Sequence, residues 1–176
     1  TFPEQLVWDT LRAGFTTNCF DGQFFFDTDH PVIAADGSEA TYANTDGGAG
    51  TPWYLLCTTR TVKPIIFQER KKAEFVALDR ADDAGVFHNR KYLYGTDLRC
   101  AGGFGFPQLA WGSRQPLDAA RYEAARSAMM AMKGDGGRPL GIVPNLLIVP
   151  PSLEGAARRI VVNQLTTGGQ TNEWAG

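Results

Sequence analysis

The sequence predicts an α+β fold around one hydrophobic core, and three observations carry that reading. Between Trp53 and Gly112 the chain is a series of short aromatic and β-branched runs divided by polar breaks, which is strand composition. The stretches on either side have apolar residues at helical spacing and ends marked by caps or glycine stops. With 20 glycines and 10 prolines in 176 residues, the elements must be short and the turns many. A chain of this length suits one domain or one large fragment and buries on the order of 70% of its unfolded surface, enough for a core without staples.

Thr1 to Ala13, TFPEQLVWDTLRA, places Phe2, Leu6, Val7 and Leu11 on one stripe, with Pro3 near the start and Gly14 just past the end. That pattern predicts a helix, and Thr1 with Glu4 has capping-box spacing. With no initiator methionine, this opening reads as the cut end of something longer. Phe15 to Gly50 is irregular and turn-rich, and its last segment, NTDGGAG at Asn44 to Gly50, reads as a mobile loop.

The strand region divides into WYLLCTT (Trp53 to Thr59), PIIFQE (Pro64 to Glu69), AEFVAL (Ala73 to Leu78), KYLYGTDLR (Lys91 to Arg99) and GFGFPQLAWG (Gly103 to Gly112). Asp79 to Asn89 is a polar turn, and runs of this kind pair best as an antiparallel sheet. Two punctuated helices follow. Asp118 is the N-cap of the first, with Leu117 and Tyr122 at the positions of a hydrophobic staple. Its residues Ala119 to Lys133 bury Tyr122, Ala125, Met129 and Met132, and the glycines from Gly134 stop it. Asn145 to Val149 reads as a buried strand closed by Pro150 and Pro151. Ser152 then caps a helix with Leu153, Ala156, Ala157 and Ile160 inward and a Glu154–Arg158 pair outward. The glycine-rich end, LTTGGQTNEWAG, reads as an unfinished loop.

The net charge of -2, from 17 basic and 19 acidic residues, gives no footprint for nucleic acid or an anionic membrane. Cys19, Cys57 and Cys100 are far apart, odd in number and without a CxxC pair, so the reading is a reducing compartment with neither disulfide framework nor zinc ribbon. No apolar run approaches the ~20 residues of a membrane span, and no signal-peptide pattern opens the chain, which together read as a soluble protein of cytosolic origin.

The segment DGQFFFDTDHPV, Asp21 to Val32, concentrates three aspartates and one of two histidines. Asp21, Asp27, Asp29 and His30, with His88 as a further ligand, supply the donors of a metal-dependent hydrolase. The spacing disagrees with a calcium loop, because phenylalanines occupy the alternate positions where oxygens belong. The structural reading has Asp27 or Asp29 bonding backbone amides in a turn before Pro31 while Phe24 and Phe26 enter the core. There is no GxSxG, and neither His30 nor His88 has a nucleophile near it in sequence. AGGFGF, Ala101 to Phe106, lacks the lysine of a phosphate loop and reads as a bulge or close backbone contact. A single-strand binding module would use the aromatic strands with Arg60, Lys63, Arg70, Lys71 and Lys72. The expectation is therefore no catalytic residue, no cofactor and no metal.

The order DGQFFFDTDHPV, PWYLL, KPIIFQERKKAEFV, KYLYGTDLR, GFGFPQLAWGS, LDAARYEAARSAMMAMK, RPLGIVPNLLIVPPSLEGAARR closely resembles the major head subunit (gpT) family of Mu-like phages and prophages, over roughly Pro3 to Trp174. The resemblance implies the tailed-phage major capsid (Hong Kong 97-like) fold, with the axial domain and part of the peripheral domain present and the N-terminal arm and extended hairpin loop lacking. It implies one capsid fragment over residues 1–176. Residues 1–14 would be the end of the spine helix or the helix after it, 15–112 the turn-rich and β-rich part, 117–133 a helix and 138–176 a strand-helix closing part. It implies a non-enzymatic shell subunit in an icosahedral phage head. Its partners would be other capsid subunits and, in full-length context, a scaffold protein and a portal, with no sequence-specific nucleic acid and no membrane. Its location would be the virion, assembled in the host cytoplasm.

Overall fold

A computed structural model describes residues 2–80, 82–163 and 171–172. Helix α1 covers Phe2–Ala13, followed by the short strands β1 (His30–Ile33), β2 (Glu39–Tyr42), β3 (Thr45–Gly48) and β4 (Trp53–Leu56). A long hairpin comes next, built from β5 (Ile65–Leu78), helix α2 (Ala84–Asn89) and β6 (Leu93–Phe104). The chain then runs through a 3-10 turn at Pro107–Leu109, β7 (Ala110–Arg114), α3 (Ala119–Ala131), β8 (Leu146–Ile148) and α4 (Glu154–Val161).

The centre is a four-stranded sheet in the order β3-β7-β4-β8. β4 pairs antiparallel with β7 and β8, whereas β3 runs parallel to β7; the runs expected to form one antiparallel sheet are divided between this sheet and the separate β5–β6 ribbon. All four residues of β4 are buried, because both sheet faces are covered. Alternation sends Trp53 and Leu55 to one face, with Trp111, Tyr122, Met129 and Ile160, and sends Tyr54 and Leu56 to the other, with Leu11, Phe25 and Phe26. Gly112 on β7 lets Phe26 lie against the second face, since a Cβ there would be 2.7 Å from the ring.

α3 follows the sequence reading closely. Asp118 accepts the Arg121 N–H at 2.8 Å, and Leu117 and Tyr122 are both buried. Tyr122, Ala125, Met129 and Met132 face the core, and Ala157 with Ile160 does the same for α4, whose Glu154 and Arg158 pair at 2.9 Å.

Several local expectations need correction. Ser152 does not cap α4: Pro151–Leu153 forms a 3-10 turn that runs directly into the helix, so helical backbone starts at Pro151 with Pro150 extended before it. Asn44 to Gly50 is no mobile loop, for Asn44 is fully buried and Thr45–Gly48 is a sheet strand. Phe25 and Phe26 enter the core while Phe24 stays out, because the segment turns instead of alternating. Phe2 is exposed, so the buried stripe of α1 begins at Leu6. Asp79 to Asn89 contains α2; the two short strands before it are one continuous strand, whereas the expected strand Gly103 to Gly112 is broken by the 3-10 turn, its first residues ending β6 and its last ones belonging to β7. The capping box of Thr1 and most of the final loop lie outside the described residues. Asn172 within that loop is buried, with its amide donating to the carbonyls of Arg159, Ile160 and Asn163 at the end of α4.

In chemical denaturation, Asp118→Ala should lose about 1 kcal/mol of stability as a lost helix cap. Ser152→Ala should stay within about 0.5 kcal/mol of the parent.

Candidate functional site

The acidic segment folds back on itself. Cys19 N–H donates to the Gln23 carbonyl at 2.8 Å, closing a tight turn that holds Asp21 at its tip. One Asp21 oxygen accepts from Gln23 N–H at 3.1 Å and from the Cys19 thiol at 2.9 Å, while the other meets His30 Nδ1 at 2.7 Å. His30 starts β1, is fully buried, and stacks on its cross-strand partner Tyr42 with ring centres 5.0 Å apart. Its Nε2 meets no hydrogen-bond partner among the described residues.

Asp27 accepts from Thr28 N–H at 2.7 Å and Phe24 N–H at 3.3 Å, the turn role expected of it. The backbone of Asp27 exchanges two bonds with Asn44: its N–H donates to Asn44 Oδ1 at 2.9 Å, and its carbonyl accepts Asn44 N–H at 3.0 Å. Asn44 Nδ2 donates to the carbonyls of Phe25 at 2.7 Å and Pro107 at 3.1 Å. One buried carboxamide thus joins the acidic connector, the start of β3 and the turn before β7.

The aspartates and histidines of the hydrolase reading do not converge. Asp29 is exposed, with its carboxyl pushed up by the neighbouring Asp27, and His88 is on α2 at the far end of the long hairpin. Among the described residues the group with metal-ligand chemistry is Cys19, Asp21 and His30, whose donor atoms lie within 4.8 Å of one another. Those atoms are already spent on each other. Burial, followed by the hydrogen bond to Asp21, pushes the Cys19 thiol up to about 11, which disfavours the thiolate a metal needs. Burial alone would raise the Asp21 carboxyl too, but the hydrogen bonds from Cys19, His30 and the Gln23 amide outweigh it and hold the group below its ordinary 3.8.

Beside this knot lies an open apolar groove of about 530 Å³, lined in part by Phe20, Tyr42, Val62, Phe106, Leu140 and Ile142. The charged groups on its wall are tied to backbone. Asp135 accepts Ile33 N–H at 3.0 Å, and Arg60 donates to the carbonyls of Leu140 and Gly141. The basic residues of the single-strand reading are dispersed. Lys63 donates to the carbonyls of Thr58 and Arg60, Lys71 bridges Asp97 and Glu74, and Arg70 bonds Gln68.

A family model described as Mu-like prophage major head subunit gpT matches residues 1–176. The chain belongs to this family. It is 40% identical over 175 residues to the major capsid protein of Escherichia phage Mu, which covers 96% of this chain and 57% of that protein. It is 43% identical over 169 residues to the Mu-like prophage FluMu major head subunit of Haemophilus influenzae, covering 92% of this chain and 55% of that one. A chain from the procapsid of bacteriophage JBD30 superposes with a TM-score of 0.83 at 42% identity, over 99% of this chain and 61% of the other. The fold is therefore that of phage capsid chains, and this chain spans little more than half the length of the gpT relatives it matches.

Sequence reasoning found Asp21, Asp27 and His30 but missed Cys19 and Asn44, the residues that close their network. An Asn before Thr-Asp-Gly-Gly looks like turn punctuation, and nothing in one sequence distinguishes that from a fully bonded core amide.

Asn44→Ala should cost about 3 kcal/mol or more, since it leaves an N–H and two carbonyls without their partner; a loss under about 1 kcal/mol in urea unfolding would remove it as a keystone. Asp21 has a lowered folded-state value, so its contribution to stability is full above the ordinary 3.8 and fades as pH falls below it. Asp21→Asn should flatten that part of the curve of stability against pH.

Proposed function

We propose that this chain is the folded body of a phage head subunit, a structural protein that works by burying surface against copies of itself and catalyses nothing. The observation that supports this most directly is the hairpin of β5, α2 and β6. Its base is half-buried, with Ile65 and Phe104 packed against the core, and its middle is charged. Its far end carries Phe75, Leu78, Phe87, Tyr92 and Tyr94 in the open, with Phe75 68% and Phe87 74% exposed. Phe75 and Tyr94 stack with centres 5.8 Å apart, forming an aromatic plate without cover from the other described residues.

A two-stranded hairpin is marginally stable alone, and an apolar patch of this kind marks a protein interface. Contacts that repeat head to tail close into rings, the arrangement a shell requires. The non-enzymatic reading is supported by the acidic knot: Asp21 lines the groove, but its oxygens are bonded to the Cys19 thiol, the Gln23 amide and His30, and Asp27 is bonded to backbone amides. In the full-length subunit the partners we assign are other head subunits, a scaffold protein and a portal. The place is the virion, after assembly in the host cytoplasm, around DNA whose sequence is not read. No helix among the described residues is long and apolar enough to cross a membrane.

Light scattering over a wide concentration range should show this chain passing from monomer to small oligomers. Phe87→Asp should raise the midpoint at least about tenfold, the scale of one interface anchor, with an unchanged melting temperature. Electron microscopy of the full-length parent should show closed shells that the same substitution abolishes. A tight two-fold dimer indifferent to Phe87 would sink the proposal.

A further inference from the structure

The long hairpin has unequal arms. β5 uses 14 residues to run from Ile65 to Leu78, and β6 uses 12 to cover the same span from Phe104 to Leu93. The two surplus residues are confined to one place. Glu69 pairs with Cys100 and Lys71 with Arg99, so Arg70 is extra; Lys71 pairs with Arg99 and Glu74 with Asp97, so Lys72 and Ala73 together oppose Leu98 alone. These are two β-bulges within six residues. Below them the register is continuous to the half-buried base, and above them from Glu74 to the apolar tip.

A bulge leaves a residue outside the ladder, bends its strand and adds twist. Two in succession, in a two-stranded ribbon whose bulged segment is exposed on β5 except at Lys71, leave little to hold the shaft straight. The base cannot yield in the same way. α1 crosses β6 at Gly102, so closely that a Cβ there would lie 2.5 Å from Thr10 Oγ1 and 3.4 Å from Leu6 Cγ. What ties the bulged segment is Lys71, whose Nζ reaches Asp97 on β6 at 2.7 Å and Glu74 beyond the second bulge at 3.3 Å. The side chains of Lys71, Asp97 and Glu74 are 40%, 56% and 67% exposed, and solvent-facing pairs of this kind are weak and screened by salt.

We propose that the bulged segment Glu69–Glu74 is a flexure, on which the apolar tip pivots as a unit relative to the body, with Lys71 as its soft restraint. The role this serves rests on the reading of the tip as a contact surface. A shell places identical chains in surroundings that are not identical, and a tip that pivots reaches its neighbour in each of them without disturbing the core. The pivot itself is a property of the isolated chain.

The test is the distribution of distances between spin labels on Asp9→Cys in α1 and His88→Cys in α2, with Cys19 and Cys100 replaced by serine. It is measured on dilute, unassembled protein, so that it is independent of whether the tip binds anything. The parent should give a broad distribution. Deleting Arg70 and Lys72 makes the ladder continuous while preserving the pairs at base and tip, and should narrow the distribution at least about twofold. Lys71→Met, which leaves the fold untouched, should widen it, as should raising the salt concentration. A parent distribution as narrow as that of a rigid ladder overturns the flexure. Equal widths in the parent and Lys71→Met overturn Lys71 as restraint, and equal widths in the parent and the deletion variant overturn the bulges as its cause. Failure of Phe87→Asp to alter association, by contrast, would count against the contact surface alone.

Discussion

The carboxamide of Asn44 is bonded at each of its polar atoms, and the rest of the body hangs from those bonds. Its Oδ1 receives the Asp27 amide, its Nδ2 satisfies the Phe25 and Pro107 carbonyls, and the backbone carbonyl of the same residue accepts Gly112 N–H on β7. Phe25 and Phe26 are seated between these anchors. Phe25 stacks on Phe104 at the hairpin base, with centres 4.5 Å apart, and Phe26 lies against Phe15 and Tyr54. A fully satisfied polar residue in a low-dielectric interior is rigid and specific, whereas the same residue half satisfied is costly. One side chain therefore sets the relative positions of connector, sheet and ribbon.

From that anchor the molecule divides into a part whose acidic side chains are bonded within it and a part that has left its apolar surface open. The acidic knot looks like reactive chemistry in sequence, yet its lone pairs face backbone amides, a thiol and an imidazole. The ribbon looks like ordinary strand in sequence, yet its aromatic end has no cover from the other described residues. The division agrees with the proposed role, in which the chain works through its surface.

What could be read without the structure follows a physical line. α3 was legible because cap, staple, stripe and glycine stop are all local signals that agree. Phe24 was misassigned because period-two alternation holds only where backbone is extended, and this segment turns. Ser152 resembles a cap because a serine after two prolines looks like a boundary, while Pro151 already begins the helical turn. The polar break at Arg70–Lys72 coincides with a real irregularity, but what it interrupts is regular pairing and not the strand, a distinction that depends on β6 across the ladder. Asn44 was illegible for the same reason: its partners are 17, 19 and 63 residues away in sequence.

The order of the central sheet also governs how the chain is made. β4 finds its partners only in β7 and β8, on the far side of the hairpin, so the core cannot close until the chain beyond Ile148 has been synthesised. Closing such distant pairs is slow, while the hairpin needs only its own residues. On the ribosome the aromatic tip is thus displayed before the body that will carry it exists, at a stage when any passing chain could stick. The glutamates, lysines and arginines of the shaft separate that tip from the apolar base, and such charges beside an aggregation-prone strand act as gatekeepers. The band that carries the two bulges of the ribbon is thus also the band that sets charge beside its apolar tip while the chain is being made.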